Sequence, residues 1–176
     1  MTHEMIFAGF GGQGVLLLGQ LVAYAGMIDD KQVSWIPSYG PEMRGGTANC
    51  AVIVSNDKIG SPLVFEPTAA LILNNPSLEK FEPLLAPNAV LVINSSIVTA
   101  KPKRPDIKVV YVPATDLEAQ LGVEKSMNII MLGAFVKSTG IVSEATMLQA
   151  FEKRFAARPH TIANNIKAFQ LGASLG

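Results

Sequence analysis

Apolar residues in this chain fall into blocks of two kinds. The first is a short run ending at a turn former, the form of a strand buried on both faces. Met5-Ile6-Phe7-Ala8 before Gly9 has this form, as do residues 69–73, 89–93 and 109–112. Val33-Ser34-Trp35-Ile36 alternates like a strand, and Thr47–Ser55 is a longer one closed by the turn signal Asn56-Asp57. A run near residues 58–64 is placed to pair back on it. The second kind is longer. Residues 13–27 are apolar nearly all round, and the exceptions Gln13, Gln20 and Tyr24 share one narrow face, which predicts a helix covered on most sides. Asn75-Pro76 offers an N-cap and a first-turn proline for a helix to about residue 85. Thr115-Asp116-Leu117-Glu118 matches a capping box, in which two side chains satisfy orphan amides at a helix start. Met127–Thr139 is small and apolar. Ser143 can cap a helix through Phe155 that Arg158-Pro159 ends, and Thr161 can cap a last one to about Leu171. Strands alternating with helices predict one α/β domain over residues 1–176, with three layers, α/β/α, around a mostly parallel sheet. A hairpin within residues 47–64 would make that sheet mixed.

Composition narrows the classes of function. Charged residues make up 16% and hydrophobic ones 49%. That charge content is low against a usual value of about 25%, and it hints at a surface partly covered by a partner. With 14 basic and 14 acidic residues, no net field favours nucleic acid or an anionic membrane. The basic run Lys101-Pro102-Lys103-Arg104 is either a solvated loop among prolines or an anion or docking site. One cysteine, Cys50, and two distant histidines, His3 and His160, rule out an internal disulfide. They also argue against a zinc site or an iron–sulfur cluster held by this chain alone. Cys50 reads as a buried small hydrophobe, and the lack of disulfides fits the cytoplasm. The apolar stretch Val15–Ile28 is too short to span a bilayer, which needs about 20 residues. Thr2-His3-Glu4 is not the basic start of a signal peptide.

The candidate chemistry begins at Gly9-Phe10-Gly11-Gly12-Gln13-Gly14. Gly9, Gly11 and Gly14 satisfy G-x-G-x-x-G between a strand and a helix, a Rossmann-like start. The helix start offers unpaired amides and a partial positive charge to an anion. A dinucleotide site also needs an acid at the end of the second strand. Here that strand closes with Pro37-Ser38, and Asp29 and Asp30 precede it. No Gly-Lys-Ser/Thr follows, so a Walker phosphate loop is excluded. Close packing of strand and helix is the alternative explanation of the glycines. A second glycine-rich loop, Tyr39-Gly40-Pro41-Glu42-Met43-Arg44-Gly45-Gly46, follows the second strand and should reach the same sheet edge. Arg44 suits a phosphate or carboxylate, or an ion pair with an acid such as Glu42. Tyr39 could stack on a flat group or cover the core edge.

These two loops together resemble the gamma subunit of the 2-oxoacid:ferredoxin oxidoreductases. So do Asn128-Ile129-Ile130-Met131-Leu132-Gly133-Ala134 and a closing helix with Asn164 and Ala168-Phe169. The resemblance implies an assembly that decarboxylates a 2-oxoacid (pyruvate, 2-ketoisovalerate or, most in keeping here, 2-oxoglutarate) to its acyl-coenzyme A. It implies alpha, beta and delta partner subunits holding thiamine diphosphate, magnesium and [4Fe–4S] clusters, with ferredoxin as the electron acceptor. It implies that this chain, inactive when isolated, contributes to coenzyme A binding and assembly, and an apolar surface that normally meets partners predicts self-association of the chain alone. Gly9, Gly11, Gly12, Gln13, Gly14, Tyr39, Arg44 and Asn128 are the expected contacts, with no catalytic or metal residues. Asn128 heads a helix, so an N-cap is its alternative role. A stand-alone nicotinamide or flavin enzyme and a purely structural subunit remain open as other readings.

Overall fold

A computed structural model describes residues 1–38 and 47–176. Six strands form one mixed sheet: β1 (Thr2–Phe10), β2 (Gln32–Ser38), β3 (Thr47–Ser55), β4 (Ala69–Ile72), β5 (Val90–Asn94) and β6 (Lys108–Val112). Their order is β2-β3-β1-β4-β5-β6. β1, β4, β5 and β6 are mutually parallel. β3 runs antiparallel to both β1 and β2, so β2 points the same way as β1. The mixing expected near residues 47–64 is present, but its geometry differs. β3 finds its hairpin partner in the preceding β2, and residues 58–64 form no strand.

The period of two in β1 feeds two cores. Met5 and Phe7 face one side, with Cys50, Val52 and Val54 of β3 and the helices α1 (Val15–Ile28) and α4 (Met127–Thr139). Ile6 and Ala8 face the other, with Leu78 and Phe81 of α2 (Asn75–Phe81). Burial of both faces explains why the strands read as unbroken apolar runs. Helices cover the faces unequally. α5 (Glu144–Arg154) packs on α1 and α6 (Ile162–Ala173) packs on α4, while α2 is the longer cover opposite. The α4–α6 crossing brings backbone against backbone. A Cβ added at Gly133 would overlap Phe169 O, and one at Gly172 would overlap Ile130 O. Among the described residues no helix is long and apolar enough to cross a membrane.

Three local expectations shift. The cap of α2 is Asn74, whose Oδ1 accepts from Ser77 N at 2.8 Å. Asn75 instead accepts from the amides of Thr99 and Ala100, and the helix yields to a 3-10 turn at Glu82–Leu84. The capping box at Thr115 does not form. α3 (Ala114–Leu121) starts behind Pro113 with no side-chain cap, and Thr115 Oγ1 accepts from Asn94 Nδ2. Thr161 precedes α6 without capping it, because its hydroxyl donates to Arg158 O.

Candidate functional site

α1 leaves β1 onto one face of the sheet, and α2 leaves the neighbouring β4 onto the other. The carboxyl ends of these two strands therefore part the chain in opposite directions, the place where open α/β sheets bind ligands. The glycine loop occupies that position. Gly9 lies inside β1, buried, with a hypothetical Cβ 2.6 Å from Gln13 Oε1 and 2.9 Å from Leu73 Cβ, so packing accounts for it. Gln13 closes the loop: its Oε1 accepts from Phe10 N at 2.6 Å and its amide donates to Phe10 O at 3.2 Å. The left-handed turns fall at Gly12 (φ 92°) and Gly14 (φ 80°). Both are conformations that glycine adopts without penalty. Gly11 is half-buried. Gly12 meets no neighbour within 4 Å of where a Cβ would stand. The amides of Gly12 and Gly14 have no partner among the described residues. α1 begins at Val15 with no side-chain cap and no acid in its first turn, so its positive dipole end is uncompensated.

A cleft of about 330 Å³ opens beside this loop, lined by Gly12, Gln13, Gly14, Glu118, Lys125, Met127 and Asn128. Four of the expected contacts thus meet there. Asn128 is the second residue of α4, not its cap, since Ser126 holds that position. Asn128 Oδ1 accepts from Ile129 N at 2.9 Å, and its Nδ2 abuts Gly14, where a Cβ would overlap it. The capping of α4 comes from a distance in sequence. The Glu118 carboxylate takes the amides of Lys125, Ser126 (3.3 Å) and Met127 (3.2 Å). One of the two helix starts in the cleft is therefore neutralised from within, and the other, at α1, is open. Lys125 brings a cation on an exposed side chain. Unpaired amides, an uncompensated helix start, a lysine and a carboxamide suit an anion such as a diphosphate. Glu118 and Lys125 were not evident from spacing. The sign that could have found them is a lysine three residues before Asn128, ahead of a helix with no acid in its own first turn.

Gly9 and Gly11 are not among the residues that line the cleft. Tyr39 and Arg44 lie outside the described residues. The flanks of their loop are described. Ser38 pairs with Asn49, and Thr47 pairs with Phe10, so both ends of residues 39–46 are anchored on the rim that carries the glycine loop. The basic run resolves into local structure. Glu82 accepts from the amides of Lys103 and Arg104, and the Arg104 guanidinium pairs with Asp106 and Leu85 O. That pairing holds the Asp106 carboxyl below its usual range. Cys50 is buried, as its surroundings predict, and burial pushes its thiol up to about 12.

Residues 4–175 match the pyruvate ferredoxin/flavodoxin oxidoreductase family. The chain belongs to that family. The resemblance carried by the two glycine loops is borne out. Ketoisovalerate oxidoreductase subunit VorA of Methanothermobacter thermautotrophicus is 35% identical over 94% of this chain, which spans 35% of VorA. The chain is thus about a third of the length of that curated relative. The 2-oxoglutarate synthase subunit KorC of Methanothermobacter marburgensis is 31% identical over 99% of this chain and 97% of KorC. In solved structures, the gamma subunit of the keto/oxoacid ferredoxin oxidoreductase of Geobacter sulfurreducens has 32% identity and a TM-score of 0.88. That match covers 99% of this chain and 96% of the gamma subunit. The 2-oxoglutarate:ferredoxin oxidoreductase of Magnetococcus marinus, solved with 2-oxoglutarate, coenzyme A and succinyl-CoA bound, shares the fold. Its TM-score is 0.88 at 21% identity, over 99% of this chain and 31% of that one. The curated relatives are named for more than one 2-oxoacid.

Proposed function

We propose that this chain is the gamma-type subunit of a 2-oxoacid:ferredoxin oxidoreductase acting on 2-oxoglutarate, and that its glycine cleft holds the diphosphate of coenzyme A. The observation that carries the reading is the convergence in one cleft of the Gly12 and Gly14 amides, the uncapped start of α1, Lys125 and Asn128. Gly11 continues the same loop, and Gly9 supports it from within the strand; Tyr39 and Arg44 are assigned to the ligand on the family resemblance alone. The choice of 2-oxoglutarate is supported by KorC, matched over nearly the whole of both chains. A four-thiolate cluster is beyond a chain with one cysteine. Thiamine diphosphate, magnesium and the [4Fe–4S] clusters are assigned to alpha, beta and delta subunits, as the family resemblance implies, with ferredoxin taking the electrons in the cytoplasm. The isolated chain is inactive, and it self-associates through the apolar side chains it leaves exposed, Leu63 and Phe65 among them.

Affinity purification through a tag on this chain, from the native cell, tests the reading. A thiamine-binding chain and a cluster-bearing chain should come with it. The complex should reduce ferredoxin with 2-oxoglutarate only when coenzyme A is present. Recovery of neither chain from an intact extract would refute the function. Faster turnover of 2-ketoisovalerate would refute the substrate. Reduction independent of coenzyme A would refute the role of the cleft.

A further inference from the structure

The two faces of the sheet are not equally closed. Across β2, β3 and β1, Ile36, Ala51 and Ile6 stand in one row. Ile6 belongs to the core beneath α2, so the row fixes which face this is. The period of two adds Ser34, Ser38 and Asn49 in the rows on either side, and Phe10 farther along β1. α2 packs on β1 and β4. The opposite face of β2 and β3 lies under α1, where Gly19 sits against Trp35, Cys50 and Val52. On this face no helix packs on β2 or β3 among the described residues, and residues 58–65 reach over its Ile53 end.

The open part is apolar and uncharged. β2 and β3 place no charged side chain on it. Phe10 is 36% exposed and Ile36 38%. At the Ile53 end, Leu63 is 58% exposed and Phe65 71%, and both share a cavity wall with Ile53. Four of the nine large apolar side chains exposed among the described residues therefore lie on this one face, and such clustering marks an interaction surface. Depletion of charge with large apolar groups retained is the composition of an interface core. Each side chain on a sheet face occupies about 33 Å², two residue rises by one strand spacing, so the open strand positions span roughly 230 Å². A standard interface takes about 800 Å² from each partner, so this area is the core of a contact that continues over Leu63 and Phe65.

The occupant follows from the relatives' size. This chain spans 35% of VorA and 31% of the Magnetococcus marinus chain, so in both the greater part of the polypeptide lies beyond this domain. Domains joined in one chain meet over about 600–1,500 Å², the scale this face needs to be covered. We infer that the open face of β2 and β3 docks a separate subunit, the counterpart of the polypeptide beyond this domain in VorA, through an uncharged apolar surface on that subunit. Phe10 belongs both to the docking face and to the glycine loop, so the docked subunit adjoins the cleft. The inference rests on the reading of this chain as a subunit.

The complex recovered through a tag on this chain from the native cell provides the test. With p-benzoylphenylalanine in place of Ile36, illumination should cross-link this chain to a subunit that mass spectrometry identifies as similar to the part of VorA beyond this domain. Ile36→Glu should lower recovery of that subunit about tenfold or more, the effect of a charge buried in an interface core. Ile36→Val, and Tyr111→Glu on the far edge strand β6, should recover it in full. Ile36 is exposed in the free chain, so Ile36→Glu should melt within about 2 °C of the wild type. If it melts lower, the cross-link alone decides. Full recovery with Ile36→Glu would overturn the inference and leave the subunit reading intact. So would a cross-link to anything else, a second copy of this chain included, or no cross-link. A wild-type chain that recovers no such subunit would overturn both.

Discussion

Removing the Glu118 carboxylate should loosen the start of α4 although the residue belongs to another helix. Its two oxygens accept from three consecutive backbone amides, Lys125, Ser126 and Met127. Ser126 is 1% exposed, so water cannot fully replace the lost acceptor. Loss of a helix cap costs about 0.5–2 kcal/mol, and a buried amide left without a partner costs about 1–3 kcal/mol. Glu118 is half-buried, so a central value of about 2 kcal/mol is appropriate for Glu118→Ala. In a protein of this size each kcal/mol moves the melting temperature by about 2–4 °C, giving a fall of about 4–8 °C. Glu118→Gln keeps one acceptor oxygen but loses the charge that complements the helix start. It should lie between the wild type and Ala. Glu124→Ala removes an exposed acid close by and should change stability by less than about 0.5 kcal/mol. Scanning calorimetry of the full chain would measure all three. A Glu118→Ala melting point within about 1 °C of the wild type would show that the capping contact does not matter in solution.

Two further predictions concern the frame around the site. Gly172→Ala places a methyl group against the Ile130 carbonyl, backbone on both sides, so α4 and α6 must separate; we expect a loss of about 3 kcal/mol or more in urea unfolding, and a tolerated substitution would contradict the crossing. His3 titrates below its ordinary value of 6.5, chiefly through burial and next through the Lys31 charge. Below about pH 6.5 the unfolded chain therefore takes a proton that the folded chain refuses, and stability falls as the pH drops through that window. His3→Gln should flatten this part of the stability–pH curve, and identical curves for the two proteins would refute the assignment.

Much of this architecture is legible in the residue order. β3 and α4 match their expected bounds because each is framed by local signals, Asn56-Asp57 after one and Gly140 after the other. The glycine loop is legible for the same reason, since a strand, three spaced glycines and a helix are neighbours in the chain. The failures share a cause. Glu118 has the right spacing for a box with Thr115, but the amides of the next helix compete for its carboxylate, and they win through tertiary proximity. Residues 58–64 were expected to pair with β3, whose open side β2 already fills. Lys125 reaches the site only because α4 packs against α1, a fact no local pattern encodes. The motif spacing does not say which glycine turns and which packs. Left-handed backbone is needed at Gly12 and Gly14, while Gly9 serves packing.

The reversed direction of β3 has a consequence for how such proteins diversify. Because β3 returns between β2 and β1, the segment joining β2 to β3 starts and finishes on the rim of the glycine loop, tied down by the Ser38–Asn49 and Phe10–Thr47 pairs. Insertions or exchanges between those anchors leave every rung of the ladder in place. Changes of length or sequence there are therefore uncoupled from the pairing of the sheet.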